Sequence, residues 1–470
     1  MARPRRRPRP GIQKAFITMN LIYIGMSGLR AANWSLRATA DNTSNLATSG
    51  YSRRGVLLSS GANGGVDTSA TLRFNESYKT QQLWTTNGKL GRHKASQSYL
   101  DQLERLTSIS LPEGKSKTND LGMGAFFASL NAASTDPGSS VLRQAVLDAT
   151  GSMTKQFNNM RSTLNEQLRN IEQARVTTVE EINGRAAAIA ELNAKIMSGQ
   201  AAGADVSGLL DQRDVAVDAL SGLAGVRVVQ QPNGTVDVSL GTGQPLVLGN
   251  QAATMAVEHD ASGRQTLSLT FGDQTMPVRT ASVGGALRGL SDVEDDVLRP
   301  QMEALRSLGS QLADLVNTQL GKGYDMNGQP GKPLITYDPS TGMLGIDKTL
   351  KPDDLAFSGD PDNPGDNANL RALIELGHSK IDVPGLGTVS LENATAVMMA
   401  KIGSASRENK QLLETADATR AQAERDWQSV SGVDKDEEAM NILRFKEMYS
   451  ANMKVISVAN ELFETTLKSI

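Results

Sequence analysis

One apolar stripe runs through the last stretch of the chain. Ile442, Tyr449, Ile456, Phe463 and Ile470 recur every seventh residue, and Met448, Val455 and Leu462 stand directly beside three of them. That spacing predicts a single helix face. Asp434 followed by Glu437 predicts a capping box at its start, and Asp436 and Glu438 put negative charge on the positive end of the helix dipole. The chain opens with a matching half, where Ile22, Met26, Leu29, Leu36 and Ala40 keep the three-and-four spacing of a helix face, interrupted by Asn33. Asp41-Asn42-Thr43-Ser44-Asn45 and Ser49-Gly50-Tyr51 then predict a helix end and a turn. Two striped helices at opposite ends of one chain, with no third helix beside either, are expected to pair.

Between them the pattern is mostly helical. Gly61 to Gly65 reads as a flexible break, Leu72 to Leu106 as an amphipathic helix, and the pattern resumes at Gly124 and restarts at Ser140. Phe157, Met160, Leu164, Leu168, Ile171, Val179, Ile182, Ala186, Ile189, Leu192 and Ile196 hold helical spacing for a rod of about 60 Å. After a helix over Leu209 to Leu223 the period changes to two. Val226 and Val228, the Pro232-Asn233-Gly234 turn, and Val236, Val238 and Leu240 predict a hairpin, with further strands near Met255, Leu267 and Met276. Helix returns from Ala286 to Leu320 with a kink expected at Pro300. Residues 331–391 read as loops and short strands, and a last frame helix covers 392–430.

The fold class is therefore mainly α: an elongated multi-domain chain with paired terminal helices, a long helical-bundle or coiled-coil domain and an inserted small β domain. The division is a disordered basic extension (1–18), a terminal helical domain (19–60 with 431–470) and a helical rod domain (61–225, 285–330 and 392–430). A β domain (226–284) and a loop-rich β insertion (331–391) complete it.

Composition narrows the function. A net charge of −3 removes the broad basic field of a nucleic-acid binder, and no apolar run reaches bilayer length, so neither nucleic acid nor membrane is an expected partner. The absence of cysteine excludes disulfides and thiol chemistry. His93, His259 and His378 lie in different segments, which argues against a catalytic or metal cluster. The acidic runs at Asp325 and Asp360 break the calcium-loop pattern, with Pro330 at the glycine position of one and Arg371 at the glutamate position of the other. Gly241-Thr242-Gly243 lacks the following glycine and helix of a dinucleotide site. Neither an enzyme nor a cofactor is expected.

The segment MSGLRAANWSLRATADNTSNLATSGYSRR, Met26 to Arg54, resembles the N-terminal signature of bacterial flagellar axial proteins, the family of rod, hook and hook-associated subunits. It has Ser49 where the family usually has Pro and Asp41 where it has Asn, so this motif alone leaves the subtype open. LLDQRD from Leu209, GGALRGL from Gly284, GYDMNGQPG from Gly323 and the block from Ser431 to Phe463 resemble the hook-associated members in particular. The resemblance implies a structural subunit at the hook–filament junction, exported by the flagellar type III route to lie outside the cell. It implies self-assembly, contact with hook protein and hook-associated protein 3, and an export chaperone on the C-terminal helix. The assembly surface expected is Ile22, Met26, Leu29, Leu36, Ile442, Met448, Tyr449, Val455, Ile456, Leu462, Phe463 and Ile470. Isolated helices of this kind are marginal, so both ends are expected to be mobile in the monomer and to fold on polymerisation. The alternatives are a hook or rod subunit or, in another class, a secreted adhesin or enzyme acting through the β domain.

Overall fold

In the computed structural model, which describes residues 10–62, 64–110 and 116–468, the chain begins with α1 (Pro10–Ser44), the hairpin β1 (Arg54–Ser60) and β2 (Val66–Arg73), and α2 (Ser77–Glu104). A short strand pair, β3 (Ser108–Ser110) and β4 (Ser116–Thr118), leads to α3 (Met123–Ala133), α4 (Ser140–Ala201) and α5 (Ser207–Leu223). Then come β5 (Val226–Gln230), β6 (Val236–Leu240), β7 (Pro245–Leu248), β8 (Gln251–Ala252), β9 (Thr254–His259), β10 (Gln265–Phe271) and β11 (Gln274–Val278). Helices α6 (Gly285–Asp292) and α7 (Arg299–Leu320) precede β12 (Ile335–Asp338), β13 (Met343–Ile346), α8 (Ala368–Glu375), β14 (Lys380–Val383) and β15 (Gly387–Ser390). The chain closes with α9 (Leu391–Ser431) and α10 (Lys435–Lys468).

Helix α4 is the spine. Ser139 caps it by accepting from Leu142 N, and no proline interrupts its 62 residues, which extend about 93 Å at 1.5 Å per residue. Its inward stripe serves two cores in turn. Met153, Phe157, Met160, Leu164 and Ile171 join α3, α7 and α9 in the first; Val179, Ile182, Ile189 and the β strands form the second. Between the two, Arg175 and Glu294 make a buried ion pair at 2.5 Å, and Arg299 reaches the other oxygen of the same carboxylate. Burial alone would raise the Glu294 pKa; the two guanidiniums hold it below its ordinary value.

The β domain is an antiparallel sheet in the order β5-β6-β7-β8 beside a second in the order β11-β10-β9. Two asparagines of α4 pin them. Asn183 exchanges both its amide hydrogen bonds with the backbone of Met255, and Asn193 donates to Val236 O and Gly249 O while accepting from Val236 N.

Several expectations need correction. Only residues 1–9 of the expected disordered extension lie outside the described residues; 10–18 are helical, since the Arg–Pro run ends at Pro10, and proline suits a first helical position. Gly61, Ala62, Gly64 and Gly65 are not a flexible break but belong to the turn of the β1–β2 hairpin, Asn63 lying outside the described residues, and Leu72 lies in β2 rather than in a helix. Gly64 and Gly65 take positive φ there, and a Cβ on Gly65 would meet Ser27 Oγ at 2.2 Å. The Pro300 kink is a π-helical turn over Val293–Leu298, in which Arg299 N bonds Glu294 O five residues back. Widening the turn just before the proline accommodates its missing N–H and its ring. Residues 331–391 are no separate insertion. Leu334, Ile335, Leu344, Phe357, Leu370 and Ile381 are buried in the first core, because strand pairs this short bury little between themselves and must share the helices' apolar surface.

Candidate assembly face and its joint

Helices α1 and α10 pair, as expected, and run antiparallel, but the seam between them is not the large apolar stripe. On α1 it is lined by Gly25, Gly28, Ala32, Ser35, Thr39 and Asn42, a three-and-four repeat of small residues that are all buried. Backbones approach closely: a Cβ on Gly28 would meet Asn452 Oδ1 at 2.2 Å, and one on Gly25 would meet Ile456 Cγ1 at 2.7 Å. The facing positions on α10 are Glu438, Asn441, Phe445, Met448, Asn452, Ile456 and Ala459.

One residue on from each seam position, both antiparallel helices turn about 100° to the same side. There Ile22, Met26, Leu29, Asn33 and Leu36 of α1 lie on one open flank with Ile442, Tyr449 and Met453 of α10. Ile22, Leu29, Leu36, Tyr449 and Ile456 are half-buried, whereas Met26 is 42% and Ile442 39% exposed. Met448 and Ile456 stay in the seam and Val455 turns to the opposite flank, so the seam divides what the periodicity presents as one stripe. Val455, Leu462 and Phe463 are exposed, Met448 is half-buried, and Ile470 lies outside the described residues. The hairpin covers part of the second flank, its tip resting on α1 where Val66 N donates to Ser27 Oγ.

A joint ties this pair to the body. All four hydrogen-bonding positions of the Asn42 side chain are used: its amide donates to Arg54 O and Glu438 Oε1, and its carbonyl accepts from Tyr51 Oη and Arg54 N. Arg53 N donates to Ser431 O, and the Arg53 guanidinium pairs with Glu437 at 2.8 Å. Glu437 is thus spent on Arg53, and only half of the expected capping box forms: Asp434 accepts from Asp436 N and Glu437 N. From the body, Asp211 accepts from Ser52 N, Arg73 and Arg54, and Asp214 holds the rest of the Arg73 fork at 2.8 Å. Burial raises the Asp211 pKa against the pull of those arginines, and burial pushes the Tyr51 phenol up to about 12. The motifs ending at Arg54 and starting at Leu209 therefore meet in space. Sequence reasoning gave neither a role, and it missed the seam, although the repeat from Gly25 to Asn42 was its signal.

The three histidines stay in separate elements, Asp325 binds the N–H groups of Asn327 and Gln329 as a turn residue, and the described residues gather no group of three or more metal-ligating side chains. No helix among them is long and apolar enough to cross a membrane.

The fold is that of an elongated, mainly helical chain whose two ends pair as helices. Known proteins agree. The family described as the flagellar hook-associated protein FlgK helical domain matches residues 103–335, and the C-terminal family of flagellar basal body rod FlgEFG proteins matches 428–469. Flagellar hook-associated protein 1 of Salmonella typhimurium is 26% identical over 562 aligned positions, covering 95% of this chain and 99% of that protein. Its counterpart in Bacillus subtilis is 23% identical over 498, covering 94% and 96%. The solved flagellar hook junction protein FlgK of Burkholderia pseudomallei has the same fold, with a TM-score of 0.65 at 17% identity, over 75% of this chain and 100% of that one. The chain belongs to the family of flagellar hook-associated protein 1, whose members are structural proteins of the bacterial flagellum.

Proposed function

We propose that the chain is a structural subunit of the hook–filament junction and assembles there through the open flank of its terminal helix pair. The carrying observation is that flank. A seam of small residues leaves Met26, Ile442 and their neighbours without cover in a single copy, and burying such surface is worth about 25 cal/mol per Å². Neighbouring copies supply the cover. On this reading the subunits bind hook protein on one side and hook-associated protein 3 on the other. The chain reaches the outside of the cell unfolded through the flagellar type III route, with an export chaperone on the exposed residues of α10. No catalysis, cofactor or metal enters the reading.

Met26→Asp with Ile442→Asp tests it, since both side chains are exposed on the open flank of the single copy, at 42% and 39%. Helix content by circular dichroism is expected to stay at the wild-type level, while cells carrying the variant make hooks without filaments. Normal filaments on such cells would remove the open flank from assembly.

A further inference from the structure

The second flank of the terminal pair holds a pocket of about 190 Å³ between α1, α10 and the base of the hairpin. Ser35, Thr39, Arg53, Arg54, Glu438 and Leu58 line it. Three side-chain atoms of these lining residues are buried without a hydrogen-bond partner among the described residues: Arg53 Nε, Arg54 Nε and Glu438 Oε2. Leaving such atoms unpaired is expensive. Glu438 is only 4% exposed, and its other oxygen is held by Asn42 at 2.8 Å. The ends of both guanidiniums are committed elsewhere, Arg53 to Glu437 and Arg54 to Asp211. What remains is two N–H donors and one carboxylate acceptor.

A carboxamide matches that set, its oxygen accepting from arginine Nε–H and its NH₂ donating to the carboxylate. The open flank of α1 carries one such group: Asn33, exposed, between the apolar Leu29 and Leu36. A polar residue in an apolar stripe commonly fixes register and partner at some cost in stability. Within one copy Asn33 and the pocket lie on opposite flanks. We infer that the Asn33 side chain of one copy enters the Arg53–Arg54–Glu438 pocket of the next. This rests on the assembly reading above and deepens it: open flank meets hairpin flank, a head-to-tail contact between two different surfaces. Such a contact propagates around a ring or along a helix, where a two-fold contact would stop at a dimer.

The chain has no cysteine, so single-cysteine variants report cleanly. Asn33→Cys and Leu58→Cys, the latter at an exposed position lining the pocket, would be supplied together to cells lacking the native protein. Their isolated hook–filament particles would then be oxidised mildly. The expected product is a disulfide between the two kinds of subunit, at least tenfold more abundant than with either variant alone, and absent from the unassembled mixture. Filaments that form without this cross-link, or with Asn33→Cys joined only to itself, overturn the pairing and leave the assembly reading standing. Failure of the wild-type chain to restore filaments in those cells would remove both.

Discussion

The body and the terminal pair are both long helices side by side, yet they keep their apolar residues in opposite places. Along α4 the large side chains point in, and Phe157, Leu164, Ile171 and Ile182 are buried among three or more neighbouring elements. Along α1 small residues point in, while large ones of the pair such as Met26, Ile442, Leu443 and Leu467 face out. The body therefore draws its stability from its own burial. On the assembly reading the pair, whose α1 side of the seam is made of small residues, draws it from neighbouring copies.

The comparison breaks most readily in the body. Phe157→Ala should cost about 3–5 kcal/mol through the cavity it opens, lowering the body's melting temperature and leaving assembly by the surviving folded protein unchanged. An equal effect on assembly would mean that the two regions fold as one unit. At the joint, Asn42→Ala leaves Glu438 buried without its donor and should cost about 2–3 kcal/mol. That loss should appear as faster amide exchange in α1 and α10 while the body's transition stays put. A third change, Gly28→Leu, forces the seam apart at Asn452 and should cost about 1–3 kcal/mol, in the pair alone.

The smallest effect depends on pH. Asp218, on α5, is pushed up to about 6, chiefly by burial, with Arg420 at 2.8 Å opposing and Glu424 reinforcing. Since the folded state takes up this proton more readily than the unfolded chain, the carboxylate costs stability above pH 6. The body should gain on the order of 2 kcal/mol as pH falls from 7 towards 4. Denaturant titrations of Asp218→Asn should show that gain removed; an unchanged pH dependence would mean that Asp218 does not contribute it.

How much was legible follows from what each element needs. Periodicity was enough for the β5–β6 hairpin turned at Gly234, for the pairing of the chain ends and for the Phe157–Ile196 part of α4, about 60 Å of its roughly 93 Å, because each shows a repeat of apolar positions. It missed the β1–β2 hairpin, whose strands carry mostly Ser, Thr and exposed leucines, and whose order comes from the Ser27 contact and the Asp211 arginine cluster. Residues 331–391 were misread as a unit because their short apolar runs pair with distant helices. Along the terminal pair the large residues were legible as a stripe, but which of them the seam leaves uncovered was not. That is set by Gly25, Gly28, Ala32 and Ser35, which hydrophobicity passes over. The joint was quoted in pieces, yet only folding brings Asn42, Arg54 and Asp211 together.

Hydrogen exchange on the lone subunit and on the assembled junction measures the contrast directly. In the lone subunit, amides of α1 and α10 should exchange within seconds while those of α4, α7 and α9 stay protected for hours, and assembly should bring the terminal amides to the same protection. Terminal amides as protected in the lone subunit as those of α4 would contradict the account, because the pair would then be stable without neighbours.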